Sequence, residues 1–297
     1  MENHTARLSI PAFTFATKNY CLLTKPGIIV GNAITTAGGF ALASKGGFNV
    51  LLFLVTLLGI CLVIASGCVF NNYIDRFADQ KMHRTRHRAL AAGTISTQRA
   101  LMFAIGLGLV GTLVLITYAN LLTVSIALFG FLVYVILYSL SKYHSIHGTL
   151  VGSVAGAVPP VAGYCAMSNR LDMGAWILFF IIVMWQMPHF YAIAMYRIEE
   201  YKKAGIPVLP LIKGIRATKI QMVFYIVGFI AIALALVVCN YVGLIYLITV
   251  SLLGLTWLAL GLKGFYCAHD KVWARQMFVV SLVVVMGLCA AIPFSMA

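Results

Sequence analysis

The chain has 297 residues, of which 62% are hydrophobic and 9% charged, whereas a soluble domain carries about 25% charged residues. A soluble fold is therefore excluded, and the sequence reads as an all-α integral membrane protein. Its formal net charge of +14 would suggest nucleic acid as a partner of a soluble chain, but next to apolar spans the positive-inside rule accounts for it, and no nucleic acid is expected.

The first residues, MENHTARLSIPAF, lack a long apolar stretch before a small-residue cleavage site, so no cleaved signal is expected. Residues 1–24 read as a cytoplasmic N-terminal segment and 25–297 as one intramembrane domain. A helix crossing the hydrocarbon core needs about 20 mostly apolar residues. Gaps in the charge pattern then predict nine transmembrane helices, at about 26–44, 50–70, 100–117, 122–140, 148–167, 174–195, 220–239, 244–262 and 276–296. Two double-length apolar stretches are divided by short polar turns, Thr117 to Asn120 and Asn240 to Gly243. With the N-terminus inside, 19 cations fall on the inner side and two, Lys45 and Arg170, outside. That bias sets the orientation and puts the C-terminus outside. Two inner connections, roughly 71–99 and 196–219, are long enough to carry function, and their placement hints at a distant internal duplication. The seven cysteines stand singly and read as small buried hydrophobes.

The first inner connection opens with NNYIDRFADQKMHRTRHRAL. Asn71, Asp75 and Asp79 are spaced four apart, which on a helix makes one short stripe of oxygen-bearing side chains. Such a stripe suits Mg2+, which takes one or two protein carboxylates plus phosphate oxygens. Arginines such as Arg84 and Arg88 can then grip the phosphates. A solvated loop marking the inner face explains the arginines equally well, but not the aspartates. Four of only seven acidic residues lie in the two inner connections, and acids near membrane depth read as functional.

The second connection begins within WQMPHFYAIAMYRIEEYKK. His189, Tyr196 and Glu200 are spaced seven and four apart, which would put them on one helical face, with Pro188 loosening the helix just before. A membrane histidine bonded to a neighbouring helix, and a helix-end ion pair at Glu199 and Glu200, are the plainer readings of the same residues. Lys25 with Asn32, and Tyr138 with Lys142, sit at inner helix ends, where lysine ordinarily snorkels. The run GSVAGAVPPVAGY, 152–164, reads as close helix packing with an unwound or kinked segment. No Walker loop, GxSxG elbow or HExxH is present. A transporter of cations or phosphate esters is the reading from another class, but it would place charges near the midplane, reachable from both sides.

The pattern Asn71 to Asp79 followed by MHRTRHR resembles the first aspartate-rich motif of the UbiA superfamily of intramembrane prenyltransferases, and Tyr138-SLS-Lys142 resembles its YxxxK element. LTKPGIIVGN, ASGCVFNNYIDR, GTLVGSVAGAVPPVAGYC, WQMPHFYAIA and AGIPVLPLIKG are similar to the protoheme IX farnesyltransferase (heme O synthase) branch. The similarity covers about residues 20–285. The resemblance implies a nine-helix UbiA bundle that transfers the farnesyl group of farnesyl diphosphate to a vinyl group of heme B, giving heme O for a terminal oxidase. It implies the oxidase or a heme A synthase as partners in the lipid bilayer. It also implies that Asn71, Asp75 and Asp79 bind Mg2+, with Glu200 as a further metal or water-mediated ligand. Lys25, Asn32, Asn71, Arg84, Arg88, Tyr138 and Lys142 would then handle the diphosphate, and His189 would contact the heme. Asp75, Asp79, Lys142, His189 and Glu200 are the expected catalytic residues. Glu199-Glu200-Tyr201 stands where relatives usually carry an aspartate before the tyrosine, so a longer arm would replace the shorter one. Another UbiA transferase acting on a quinone precursor is the alternative, and a bacterial plasma membrane, with the active site facing the cytoplasm, is the expected location.

Overall fold

A computed structural model describes residues 12–295, with side chains from residue 17 onward, so the expected signal-free start at 1–11 lies outside the described residues. The helices are α1 (Ala12–Leu23), α2 (Pro26–Ser44), α3 (Val50–Lys81), α4 (Thr97–Tyr118) and α5 (Leu121–Leu132). A π-helical stretch, Val133–Tyr138, leads into α6 (Ser139–His144), and then come α7 (Gly148–Ser168) and α8 (Met173–Tyr196). The rest are α9 (Ile198–Ala204), the single turn α10 (Leu209–Ile212), α11 (Gly214–Val238), α12 (Leu244–Lys263) and α13 (Asp270–Ala291). Among the described residues nine helical spans are long and apolar enough to cross a membrane, with α5 to α6 counted as one.

Polar residues at the predicted turns cap the spans. Asn120 accepts from the Thr123 amide at 2.8 Å and its amide also donates to the Cys165 and Ala166 carbonyls, tying the start of α5 to the end of α7. Asp172 caps α8 through the Gly174 amide and takes the Tyr164 hydroxyl at 3.1 Å, so this acid is structural. Asn240 reverses the chain in a left-handed conformation, φ 57°, which asparagine tolerates better than most residues.

α3 packs along α4, α2 packs along α7, and α8 sits against α7, α11 and α13, with α13 returning to α2. α7 and α8 are the most buried spans. Small residues bring α2 and α7 together: a Cβ on Gly39 would lie 1.9 Å from the Pro160 carbonyl oxygen, and one on Gly163 would lie 2.2 Å from that of Thr36. Close packing through 152–164 is thus observed, but the expected unwinding is not. α7 is helical across Pro159 and Pro160, and α8 across Pro188.

Several expected boundaries move. The second span does not end at 70: α3 runs on to Lys81, and 32 residues at 1.5 Å each make about 48 Å, well beyond an apolar core of about 30 Å. The segment expected to open a loop at 71 is therefore the protruding end of a helix, fixed there by packing against α1 and α4. α11 begins at Gly214 and α13 at Asp270, earlier than charge spacing suggested. The reason is that the buried Lys219 is neutralised by Asp270 and bonds the Gly264 carbonyl, so these charges do not end the helices. Cys21 and Cys239 are exposed rather than buried.

Candidate active site

Two adjacent asparagines of α3 organise the turn between α1 and α2. The Asn72 amide donates to the Leu23 carbonyl at 2.8 Å, and Lys25 Nζ donates to Asn71 Oδ1 at 2.6 Å. Lys25 is held in the left-handed region, φ 55° and ψ 68°, directly before Pro26. That conformation is unfavourable for a non-glycine residue by about 1–3 kcal/mol and is found where surrounding contacts fix a functional group. The Asn71 Nδ2 donor is buried and unpartnered.

One turn on, Asp75 Oδ1 accepts from Lys142 Nζ and from the Tyr143 hydroxyl, the latter at 2.7 Å. Lys142 reaches it from α6, immediately after the π-helical stretch. Such π segments shift the register of the residues that follow and recur at functional sites. Gly148 and Gly152 of α7 make room: a Cβ on the first would lie 2.6 Å from the Lys142 Cα, and one on the second 2.9 Å from the Tyr138 ring. Tyr138 stacks on Tyr134 with centroids 5.6 Å apart, and Lys142 Nζ lies 5.1 Å from the Tyr138 centroid.

A further turn on, the buried Asp79 takes both of its carboxylate oxygens to Arg88 Nη1, at 2.8 and 3.1 Å. Thr85 donates to the Asp79 carbonyl at 3.0 Å. Residues 82–96 therefore fold back over the end of α3 instead of trailing into solvent. Lys25, Lys142 and Arg88 thus converge on the stripe of Asn71, Asp75 and Asp79.

Two carboxylates face three cations there, and the Lys25 ammonium has only a neutral amide for a partner. Burial pushes Lys25 down to about 8. Below that pH it is charged, above it the free site loses a positive charge, and an anion arriving beside it draws the value back up. A diphosphate ester brings more negative charge than the roughly −2 of a single phosphate, so one surplus cation does not balance it. Asp75 Oδ2 accepts no hydrogen bond among the described residues. All-oxygen donors on one helix face, a spare carboxylate oxygen and this charge deficit suit Mg2+ held with phosphate oxygens. No group of three histidine, cysteine or acidic residues stands ready as a closed metal cage among the described residues.

The description of the UbiA prenyltransferase family matches residues 32–283. The chain belongs to this family. The protoheme IX farnesyltransferase of Protochlamydia amoebophila is 51% identical over 93% of this chain and 98% of its own. A structure of digeranylgeranylglyceryl phosphate synthase superposes with a TM-score of 0.77 at 18% identity, over 94% of this chain and 99% of that one. A UbiA homolog from Archaeoglobus fulgidus bound to GPP and Mg2+ superposes with a TM-score of 0.62 at 14% identity, over 92% and 99%. Both likenesses identify the fold as that of the UbiA family.

Within this UbiA bundle, four other expected residues stand apart from the cluster. The Asn32 side chain donates to Ile28 O of its own helix at 2.8 Å. Arg84 is exposed, and its charge is felt at Tyr201, whose hydroxyl burial raises above the usual phenol range. His189 and Tyr196 share the expected face of α8, both against Phe278 of α13, but Glu200 leaves it, because α8 ends at Tyr196 and Arg197 turns the chain with φ −114° and ψ 22° before α9. His189 bonds Ser281 of α13, whereas Glu200 Oε1 pairs with Arg197 at 2.9 Å. Glu200 lines a recess of about 220 Å³ with Gln80, Met82 and Arg86, beyond the end of the aspartate stripe, and its Oε2 is buried without a partner.

Sequence reasoning missed Asn72, Thr85, Tyr143 and Ser281. Tyr143 directly follows the YxxxK lysine, and its i+5 distance from Tyr138 gave no helical-face signal until the π stretch altered the register.

Proposed function

We propose that the chain transfers the farnesyl group of farnesyl diphosphate to a vinyl group of heme B, with addition of water, to give heme O. The observation that carries this reading is the convergence of Lys25, Arg88 and Lys142 on Asn71, Asp75 and Asp79 at one end of an apolar bundle. The acceptor is supported by the named Protochlamydia relative at 51% identity.

The C1–O bond of the allylic diphosphate breaks, and its electron pair leaves with the diphosphate. Lys25, Lys142 and Arg88 present positive charge where that anion develops, and they are already fixed by hydrogen bonds, so little reorganisation is needed as charge builds up. The unpartnered Asn71 Nδ2 adds a neutral donor. Mg2+, when bound to Asp75 and Asp79, supplies further charge to the departing diphosphate. The apolar bundle keeps water from the farnesyl cation until the vinyl carbon has attacked. The new carbon–carbon bond moves the positive charge to the carbon beside the porphyrin ring, where water adds and one proton is lost. The positive-inside distribution supports a site on the cytoplasmic face of a bacterial plasma membrane. In this reading a terminal oxidase or heme A synthase receives the product.

The purified chain in detergent, given heme B, farnesyl diphosphate and Mg2+, is expected to yield a product heavier by one hydroxylated farnesyl unit in mass spectrometry, and EDTA should abolish it. Prenylation of an added quinone precursor in place of heme B would keep the donor site and overturn the acceptor. In the same assay Glu200→Gln should lose less than the about 10² expected of a group that directly stabilises transition-state charge, because its carboxylate is turned to Arg197. A loss larger than that of Asp79→Asn would move the centre of the site to α9.

A further inference from the structure

His189 of α8 is held in a defined tautomer by α13. Trp185 Nε1 donates to the Ser281 carbonyl at 2.7 Å, stitching the two helices together at this residue. Ser281 Oγ lies 2.6 Å from the Phe278 carbonyl oxygen and 2.7 Å from His189 Nδ1. A serine hydroxyl has one proton, and a carbonyl only accepts. The Ser281 proton therefore goes to Phe278 O, and Nδ1 must carry its own hydrogen and donate it to Ser281 Oγ. In a neutral imidazole that leaves Nε2 as a bare lone pair.

Nε2 makes no hydrogen bond among the described residues, although His189 keeps only 8% of its surface accessible. The ring cannot easily turn away. It stacks on Trp185 with centroids 4.8 Å apart, and Phe278 and Phe190 flank it at 4.9 and 5.3 Å. Unlike Asn71 Nδ2, Nε2 is not sealed from its surroundings, so it stays within reach of a ligand.

We propose that His189 Nε2 is the axial ligand to the iron of the porphyrin substrate, an inference that rests on heme B being the acceptor. Neutral imidazole nitrogen suits iron. Histidines that bind metals almost always donate their other N–H to an outer partner, which fixes the tautomer and raises the basicity of the ligand. Ser281, itself donating to Phe278 O, is such a partner. The aromatic side chains around the imidazole offer flat apolar surface to a macrocycle. Ligation at one point would fix the porphyrin's distance from α8 and restrict which vinyl group meets the farnesyl carbon.

The test is ferric heme B titrated into the purified chain, read by absorption and electron paramagnetic resonance. Wild type should bind heme with a histidine-ligated spectrum. His189→Ala should lose that spectrum and bind at least about tenfold more weakly, and millimolar imidazole should restore it, which a merely structural role would not allow. His189→Met should give a thioether-ligated spectrum, reporting the same position without removing the side chain. Ser281→Ala should keep histidine ligation and weaken heme binding by about 10- to 100-fold, as loss of an outer partner does at metal sites. A wild-type spectrum in His189→Ala overturns the ligand assignment and leaves the acceptor standing. Failure of wild type to take up heme B, while it prenylates a quinone precursor, overturns both.

Discussion

Asp79→Asn and Asp75→Asn should each lower turnover by about 10² or more, the range found when a group that stabilises transition-state charge is removed. Both substitutions keep shape and remove charge. At Asp79 the carboxylate is buried, 2% exposed, and binds Arg88 through both oxygens, so the amide variant offers Arg88 one acceptor instead of two. At Asp75 the change leaves the buried Lys142 facing a neutral group, while the Tyr143 hydroxyl still has an oxygen to donate to. Loss of charge should therefore appear in kcat as well as KM. Thr85→Val separates chemistry from architecture: it removes the tie between residues 82–96 and the Asp79 carbonyl, yet keeps Arg88 and both carboxylates. If Thr85→Val reproduced the whole Asp79→Asn deficit, Asp79 would be an anchor for the loop. If both asparagine variants kept Mg2+-dependent turnover near wild type, the stripe would not be the catalytic centre.

Gly39→Ala is expected to destabilise the protein at or above the upper end of the about 1–3 kcal/mol typical of overpacking. Its Cβ would lie 1.9 Å from a backbone oxygen of α7, and no rotamer change relieves a contact with backbone. α2 and α7 would have to separate, which would also open the close contact of Gly163 with Thr36 on the same seam. In a membrane, helices gain from such close approach because lipid offers no hydrophobic drive to pack them. Since Lys25 directly precedes α2, a displaced α2 should also weaken diphosphate binding. Gly31→Ala is the control, because a Cβ there meets nothing within 4 Å. Thermal unfolding in detergent should show a clear loss for Gly39→Ala and none for Gly31→Ala. Equal stability of the two would mean that the seam is looser than the structure gives it.

The site was legible where chemistry repeats along one helix. Asn71, Asp75 and Asp79 announced themselves by a spacing of four, because that spacing makes neighbours on any α-helix. The face drawn through His189 and Glu200 used the same rule and failed, because the rule holds only while one helix continues, and Arg197 ends it. Lys142 was legible as a basic residue at an inner helix end, but Tyr143 was not, since the π stretch that turns both toward Asp75 leaves no periodicity in an apolar run.

The sequence by itself determined the membrane setting, the nine spans, the end at which charge gathers and the aspartate stripe, because each follows from local composition or fixed helical geometry. Only the tertiary structure decided which cation meets which oxygen. Lys25, Arg88 and Lys142 lie 46, 9 and 67 residues from their partners, and such meetings depend on glycines that let helices touch and asparagines that clamp a turn. The same holds for His189. Its tautomer is set by a serine 92 residues away, and the choice of which nitrogen keeps its lone pair exists only once α8 and α13 are packed together.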